Sequence, residues 1–203
     1  MFRKWFYLSL LAGLGLPALG GEVRTLPRPV MTGGMPLMEA INARHSGRAY
    51  DTSRAVDDQT LGEILWAAWG VNTRGKRTIA TARNQQNMSL YLLTPQGTWK
   101  YDGKAHALEK VNEENLIPLC NQQPFVADAP VHLLFAAQDD RWGRAHVGSA
   151  YQNVYLYATS RGLATVIRGL IDDKGLTKAL GLKGKERVIA HQTVGWPAPE
   201  TEE

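Results

Sequence analysis

Apolar residues along this chain recur at two periods, and each period predicts its own kind of element. After Asp57 and Asp58, the residues Leu61, Ile64, Leu65, Ala68 and Trp69 recur every three or four positions as far as Gly70. That spacing predicts an amphipathic helix opened by the aspartates and stopped by the glycine. Pro36 to Ala43 predicts a shorter helix, with proline at its start, where a missing N–H costs nothing. Gly148 to Gly162 has Tyr151, Val154, Tyr155 and Ala158 on one face and predicts a buried helix. Met88, Leu90 and Leu92 alternate instead, Pro95-Gln96-Gly97 turns the chain, and Thr98 to Tyr101 returns as the second arm of a hairpin. Val131 to Ala137 is almost all apolar, the mark of a central strand covered on both faces. Ala164 to Ile167 predicts a short strand, Asp172-Asp173 opens a helix ending near Gly181, and Arg187 to Val194 alternates as a last strand. Residues 71–87 are polar and basic without period, so a loop is expected. Nothing repeats, and the elements make one domain of mixed helices and strands over 36–203.

The first 35 residues read differently. Arg3 and Lys4 precede an uncharged run from Trp5 to Leu19, and Ala18-Leu19-Gly20 places small residues before Gly21-Glu22. This is the pattern of a secretory signal over 1–20, cleaved after Gly20, and it predicts a periplasmic or secreted protein. The run is interrupted by Gly13, Gly15 and Pro17 and falls short of the roughly 20 apolar residues that a membrane span needs. Residues 21–35 hold three glycines and two prolines and predict a flexible leader.

Composition narrows the partners. The formal charge of +4 over 203 residues is mild and dispersed, so nothing calls for nucleic acid. The single cysteine, Cys120, permits no internal disulfide and no cysteine-based zinc site, and no metal site is expected. In an oxidising compartment its thiol is either buried and inert or a bridge between two chains.

Chemistry concentrates in four short stretches. Arg44-His45-Ser46-Gly47-Arg48 sets two guanidiniums, an imidazole and a hydroxyl within five residues, a set able to surround a phosphate. Asn84 and Gln86 offer paired donors and acceptors to the edge of an amide-rich ring. Val166-Ile167-Arg168-Gly169 ends an apolar strand in a glycine that lets a flat ligand approach the backbone. Lys183, Lys185 and Arg187 enter the final strand as a phosphate clamp or an exposed basic edge. No His-Glu-x-x-His, Gly-x-Ser-x-Gly, P-loop or dinucleotide-binding glycine motif is present.

Together these stretches resemble the nitroreductase-like family of FMN flavoproteins. Arg44 to Tyr50 is similar to the family's Arg-x-Ser-x-basic-x-aromatic signature. Ala80 to Gln86 resembles its Pro-Ser-Ser-x-Asn-x-Gln, keeping Asn84 and Gln86 but not the proline or first serine. Ala150-Tyr151-Gln152-Asn153 resembles a helix start in relatives, and Gly195-Trp196-Pro197 the family's closing segment. The resemblance implies an α+β fold with a central, mostly antiparallel sheet flanked by helices, and an intertwined homodimer sharing its flavin sites. It implies FMN contacts from Arg44, His45, Ser46, Arg48, Asn84, Gln86, Lys185 and Arg187, with backbone contacts from Val166, Ile167, Arg168 and Gly169. Arg44, Arg48, Lys185 and Arg187 would then surround the phosphate. Many relatives carry an acid at the place of Arg168, so a different charge beside the ring is expected. Arg83-Asn84 and Val166 to Gly169 lean toward the azoline-dehydrogenase (SagB-type) branch.

The activity implied is FMN-dependent oxidoreduction of a small organic substrate, since the flavin carries the redox chemistry and the protein orients it. Export removes free nicotinamide nucleotides as reductant and favours a substrate-oxidising enzyme with a membrane or periplasmic redox partner. The alternative is a non-enzymatic flavin-binding or electron-carrier domain of a larger assembly.

Overall fold

The computed structural model describes residues 21–199. The expected signal sequence lies outside the described residues. Seven strands form one sheet: β1 (Val23–Thr25), β2 (Met88–Thr94), β3 (Gly97–Asp102), β4 (Ala107–Asn112), β5 (Val131–Gln138), β6 (Ala164–Arg168) and β7 (Glu186–Gly195). Their order is β1-β4-β3-β2-β5-β7-β6, and every pairing is antiparallel. Among the described residues four α-helices accompany them: α1 (Leu37–Ala43), α2 (Asp58–Trp69), α3 (Arg141–Ser160) and α4 (Asp173–Ala179). The fold is therefore α+β, as the resemblance implied.

The two-residue alternation of the strands divides the core in two. Leu90, Leu92, Leu133 and Phe135 pack with Leu61, Ile64 and Leu65 of α2 and with Val147, Ala150 and Val154 of α3. Tyr91, Leu93, Leu134 and Ala136 face the other way, against Leu116, Cys120 and Leu176 of α4. An apolar strand such as β5 is continuous in sequence because helices cover both of its sides.

Local chemistry sets the helix ends. Asp57 accepts a hydrogen bond from Thr60 N (2.7 Å) and starts α2. Gly70 ends it in extended backbone, and a Cβ there would collide with the indole of Trp66. Asp140 accepts from Trp142 N (2.9 Å) and Gly143 N (2.8 Å), so α3 begins at Arg141, seven residues before the Gly148 expected from the apolar face. The early turns were missed because Arg141, Trp142 and Arg144 are exposed and carry no apolar period.

The flexible leader needs correction. Val23–Thr25 pairs with Ala107–Glu109 as an edge strand, Leu26 is buried in the main core, and Val30 N donates to Glu63 Oε1 (3.0 Å). Strand β4 was not foreseen, because Glu109, Lys110 and Val111 give it only one buried face.

Candidate cofactor site

One end of β6 is gripped by the turn that follows α1. Gly47 N donates to Thr165 O (3.0 Å), and a Cβ on Gly47 would stand 2.8 Å from that of Ala164, so only glycine lets the turn run this close. Ser46 Oγ lies 2.9 Å from the hydroxyl of Tyr155, which also accepts from Ile167 N (3.0 Å). One tyrosine of α3 thus ties the turn to the strand. The guanidinium of Arg44 sits 5.2 Å from the centre of the same ring. Arg48 is exposed, and neither it nor Arg44 has a salt-bridge partner among the described residues. The imidazole of His45 turns back to Ala43 O (3.0 Å). Two uncompensated cations and a hydroxyl are therefore held at the start of β6.

The other end of β6 opens into a cavity of about 290 Å³ between α3 and the sheet. Val147, Tyr151, Ile167, Ile189 and Ala190 form apolar walls, and Arg144 and Gly169 stand at its edge. A Cβ added to Gly169 would meet nothing within 4 Å, so the backbone there is open to a ligand. From Thr165 to Gly169 the strand rises about 13 Å. A cationic end and an apolar end thus lie along one strand.

Alternation along β6 sends Ile167 toward the cavity and Val166 and Arg168 to the opposite face. Arg168 is 6 % exposed and fully engaged. Its Nε donates to Gln123 Oε1 (2.9 Å), Nη1 to Cys120 O (2.8 Å) and to His191 Nδ1 (3.1 Å), and Nη2 to Leu170 O (2.8 Å). The charge expected beside a bound ring is therefore turned away from it. Only the backbone of Val166 and Arg168 can serve the cavity side.

Behind β6 this arginine orders a buried relay. A guanidinium has no acceptor, so His191 Nδ1 must accept from it, and His191 Nε2 must carry the proton offered to His132 Nδ1 (3.2 Å). The two imidazoles stack at 5.4 Å, and the second hydrogen bonds to the Ala129 backbone. Burial pushes the His132 pKa down to about 4, opposed by the hydrogen bond to Ala129 and helped to a smaller extent by the nearby Arg168 charge. Burial, His132 and Arg168 push that of His191 well below its ordinary value. Both rings are neutral, and both are structural.

The remaining residues do not join this site within one chain. Asn84 and Gln86 belong to a turn held to α3 through Ala82 N and His146 Nε2 (2.8 Å). His146 and Tyr155 are nine residues apart, which at about 100° per residue puts them on opposite sides of the helix. Arg83, Asn84 and Gln86 all have φ near +50° (53°, 53° and 46°), a conformation that side chains other than asparagine resist. Gln86 Nε2 donates to Asn84 Oδ1 (3.0 Å), and Arg77 Nε donates to Gln86 Oε1 (2.9 Å). Strained residues cross-linked in this way commonly mark functional turns.

Lys185 and Arg187 lie at the far end of β7. Val194 pairs with Thr165, and Arg187 is seven residues further along, about 23 Å away. The four-cation phosphate clamp is therefore split, with Arg44 and Arg48 at one end and Lys185 and Arg187 at the other. Arg187 instead donates to Gly184 O (2.9 Å) and Glu186 O (2.7 Å). Sequence reasoning missed Tyr155 and Arg144. A tyrosine on an apolar helix face is a signal in itself, because its hydroxyl must find a partner when buried.

Residues 41–196 match the family model described as the nitroreductase family. A protein of Methanocaldococcus jannaschii named as a nitroreductase is 31% identical over 169 residues, covering 72% of this chain and 85% of that protein. A crystal structure from Ralstonia eutropha, likewise named, shares 34% identity at a TM-score of 0.79 and covers 88% of this chain and 90% of its own. A chain of the Escherichia coli microcin synthetase McbBCD complex has the same fold at 17% identity and a TM-score of 0.66, over 97% of this chain and 85% of that one. The chain belongs to the nitroreductase family of flavin-dependent oxidoreductases.

Proposed function

We propose that this protein binds FMN along β6 and uses it to oxidise or reduce a small organic molecule. The observation that carries this reading is the tether from Ser46 through the Tyr155 hydroxyl to Ile167 N, which sets the cations of Arg44 and Arg48 and the apolar cavity on one strand. The donor set fits the cofactor. A phosphate dianion finds Arg44, Ser46 and Arg48, and a flat ring finds Ile167, Ile189 and the open backbone at Gly169. When bound, FMN supplies hydride and electron transfer, so the chain's own task is to bind, orient and exclude water.

A homodimer completes the site. Asn84 and Gln86 stand on the side of α3 away from Ser46, so they serve the flavin of a second copy. Leu37, Met38 and Ile41 of α1 are exposed (63%, 75% and 49%) and suit burial between subunits. The azoline-dehydrogenase branch is the subdivision we favour, from Arg83-Asn84 and Val166 to Gly169. We read residues 1–20 as an export signal, so the enzyme works outside the cytoplasm, where electrons from the substrate would pass to a quinone, oxygen or a redox partner.

The visible spectrum of the purified protein tests the central claim. Wild type is expected to show flavin bands. Arg44→Ala/Arg48→Ala removes two charge-assisted contacts of about 1.5–3 kcal/mol each and lowers FMN affinity about a hundredfold or more. A double variant that keeps its full flavin would refute the assignment.

A further inference from the structure

Beyond Gly169 the apolar cavity runs into a second and larger one. This cavity of about 760 Å³ shares Arg144, Gly169 and Ile189 with the first and is walled by α4 and the loop before β7. Its charge is uneven. Arg144, Lys174, Lys178 and Arg187 line it against Asp139 and Asp173. Asp139 is already paired with Arg144 (2.6 Å), whereas Lys174, Lys178 and Arg187 take part in no salt bridge among the described residues.

Two features suggest a ligand. Lys174 and Lys178 are one turn apart on α4, and like charges at that spacing repel by a few tenths of a kcal/mol, which a bound anion would relieve. Ile189 is the extra residue of a β-bulge opposite Phe135 and Ala136. Bulges re-aim side chains and are frequent beside active sites. Here the bulged residue becomes part of the wall between the two cavities.

We infer that the paired cavities bind a substrate with two ends: a flat apolar end on Tyr151, Ile167 and Ile189, and a carboxylate or phosphate held by Lys174, Lys178 and Arg187. This rests on the flavin reading for what happens at the flat end, but the charged cavity stands without it. The anion is the substrate's and not the cofactor's, because Arg44 and Arg48 lie at the opposite end of β6.

Three probes that share one naphthalene ring test the inference: 1-naphthalenemethanol, 1-naphthoate and 1-naphthyl phosphate. Binding to the purified, flavin-loaded protein is followed by calorimetry and by perturbation of the flavin bands. At least one anionic probe is expected to bind tenfold or more tightly than the alcohol, and comparison of the two anions identifies the preferred group. In Lys174→Gln/Lys178→Gln that preference should fall to about twofold while flavin content stays unchanged. Equal binding of all three probes to wild type overturns the inference, as does a preference that survives the double variant. Loss of flavin from the double variant overturns it too, by giving these cations to the cofactor. A wild-type protein without flavin defeats the cofactor reading instead, and calorimetry then still decides whether the cavity selects anions.

Discussion

Acid should destabilise this protein through His132, by an amount the relay behind β6 allows to be worked out. In the folded chain the His132 pKa is near 4, and in the unfolded chain it returns to about 6.5. Above pH 6.5 neither state holds the proton and the fold has its full stability. As pH falls from 6.5 toward 4, the unfolded chain takes up a proton that the folded chain refuses, so stability is lost across that window. At pH 5 the loss from His132 alone is about 2 kcal/mol, rising to about 3 kcal/mol below pH 4. His191 titrates in the same direction and adds to it. Burial is the main cause, and the geometry agrees with it: His132 Nδ1 already accepts from His191 Nε2, so a proton there would set two donors face to face inside the core. Urea unfolding of wild type and His132→Gln at pH 7.5 and pH 5.0 measures the effect. The wild type is expected to lose about 2 kcal/mol more than the variant on acidification. Equal losses, or an imidazole resonance of folded His132 titrating near 6.5, would refute the relay.

Two further outcomes follow from burial and from helix geometry. Cys120 is fully buried, and burial raises its thiol pKa to about 12 against the small lowering effect of Arg168, so a thiol reagent at pH 8 should label it only after unfolding and no disulfide-linked dimer should form. Rapid labelling of the folded protein would contradict this. Mixing Arg44→Ala/Arg48→Ala chains with Asn84→Ala/Gln86→Ala chains should restore about one intact flavin site per mixed dimer. Mixed samples with no more bound flavin than either parent would rule out sharing.

Periodicity made most of the fold legible. Helix α2 and the hairpin of β2 and β3 followed from spacing and turn residues, and the apolar run of β5 announced a strand covered twice. The misses share a cause: where an element has one narrow contact, its sequence carries no period. Residues 23–25 pair only with β4, β4 buries one face, and the first turns of α3 are exposed and held by Asp140. The site divides in the same way. The cluster from Arg44 to Arg48 was legible because its cations are adjacent in sequence and share one turn. Lys185 and Arg187 looked equivalent by composition, yet the length of β7 separates them from that turn, and distance along a strand is invisible until its register is known.

Arg168 shows what register decides. A two-residue alternation allows only two outcomes for the four-residue stretch ending in Gly169: either Ile167 or Arg168 faces α3, never both. Tyr155 selects the first by accepting Ile167 N from the α3 side, and the carbonyls of Cys120 and Leu170 hold the guanidinium on the other side. The end of the cavity nearest Gly169 is therefore lined by backbone groups and apolar walls, with Arg144 of α3 at its edge. Arg144 is exposed and paired with Asp139, which is exposed as well, so its charge can be redirected to a ligand at small cost, whereas removing Arg168 would orphan two carbonyls, an amide oxygen and the His191 ring. The arginine that stands within the strand signature accordingly belongs to the core.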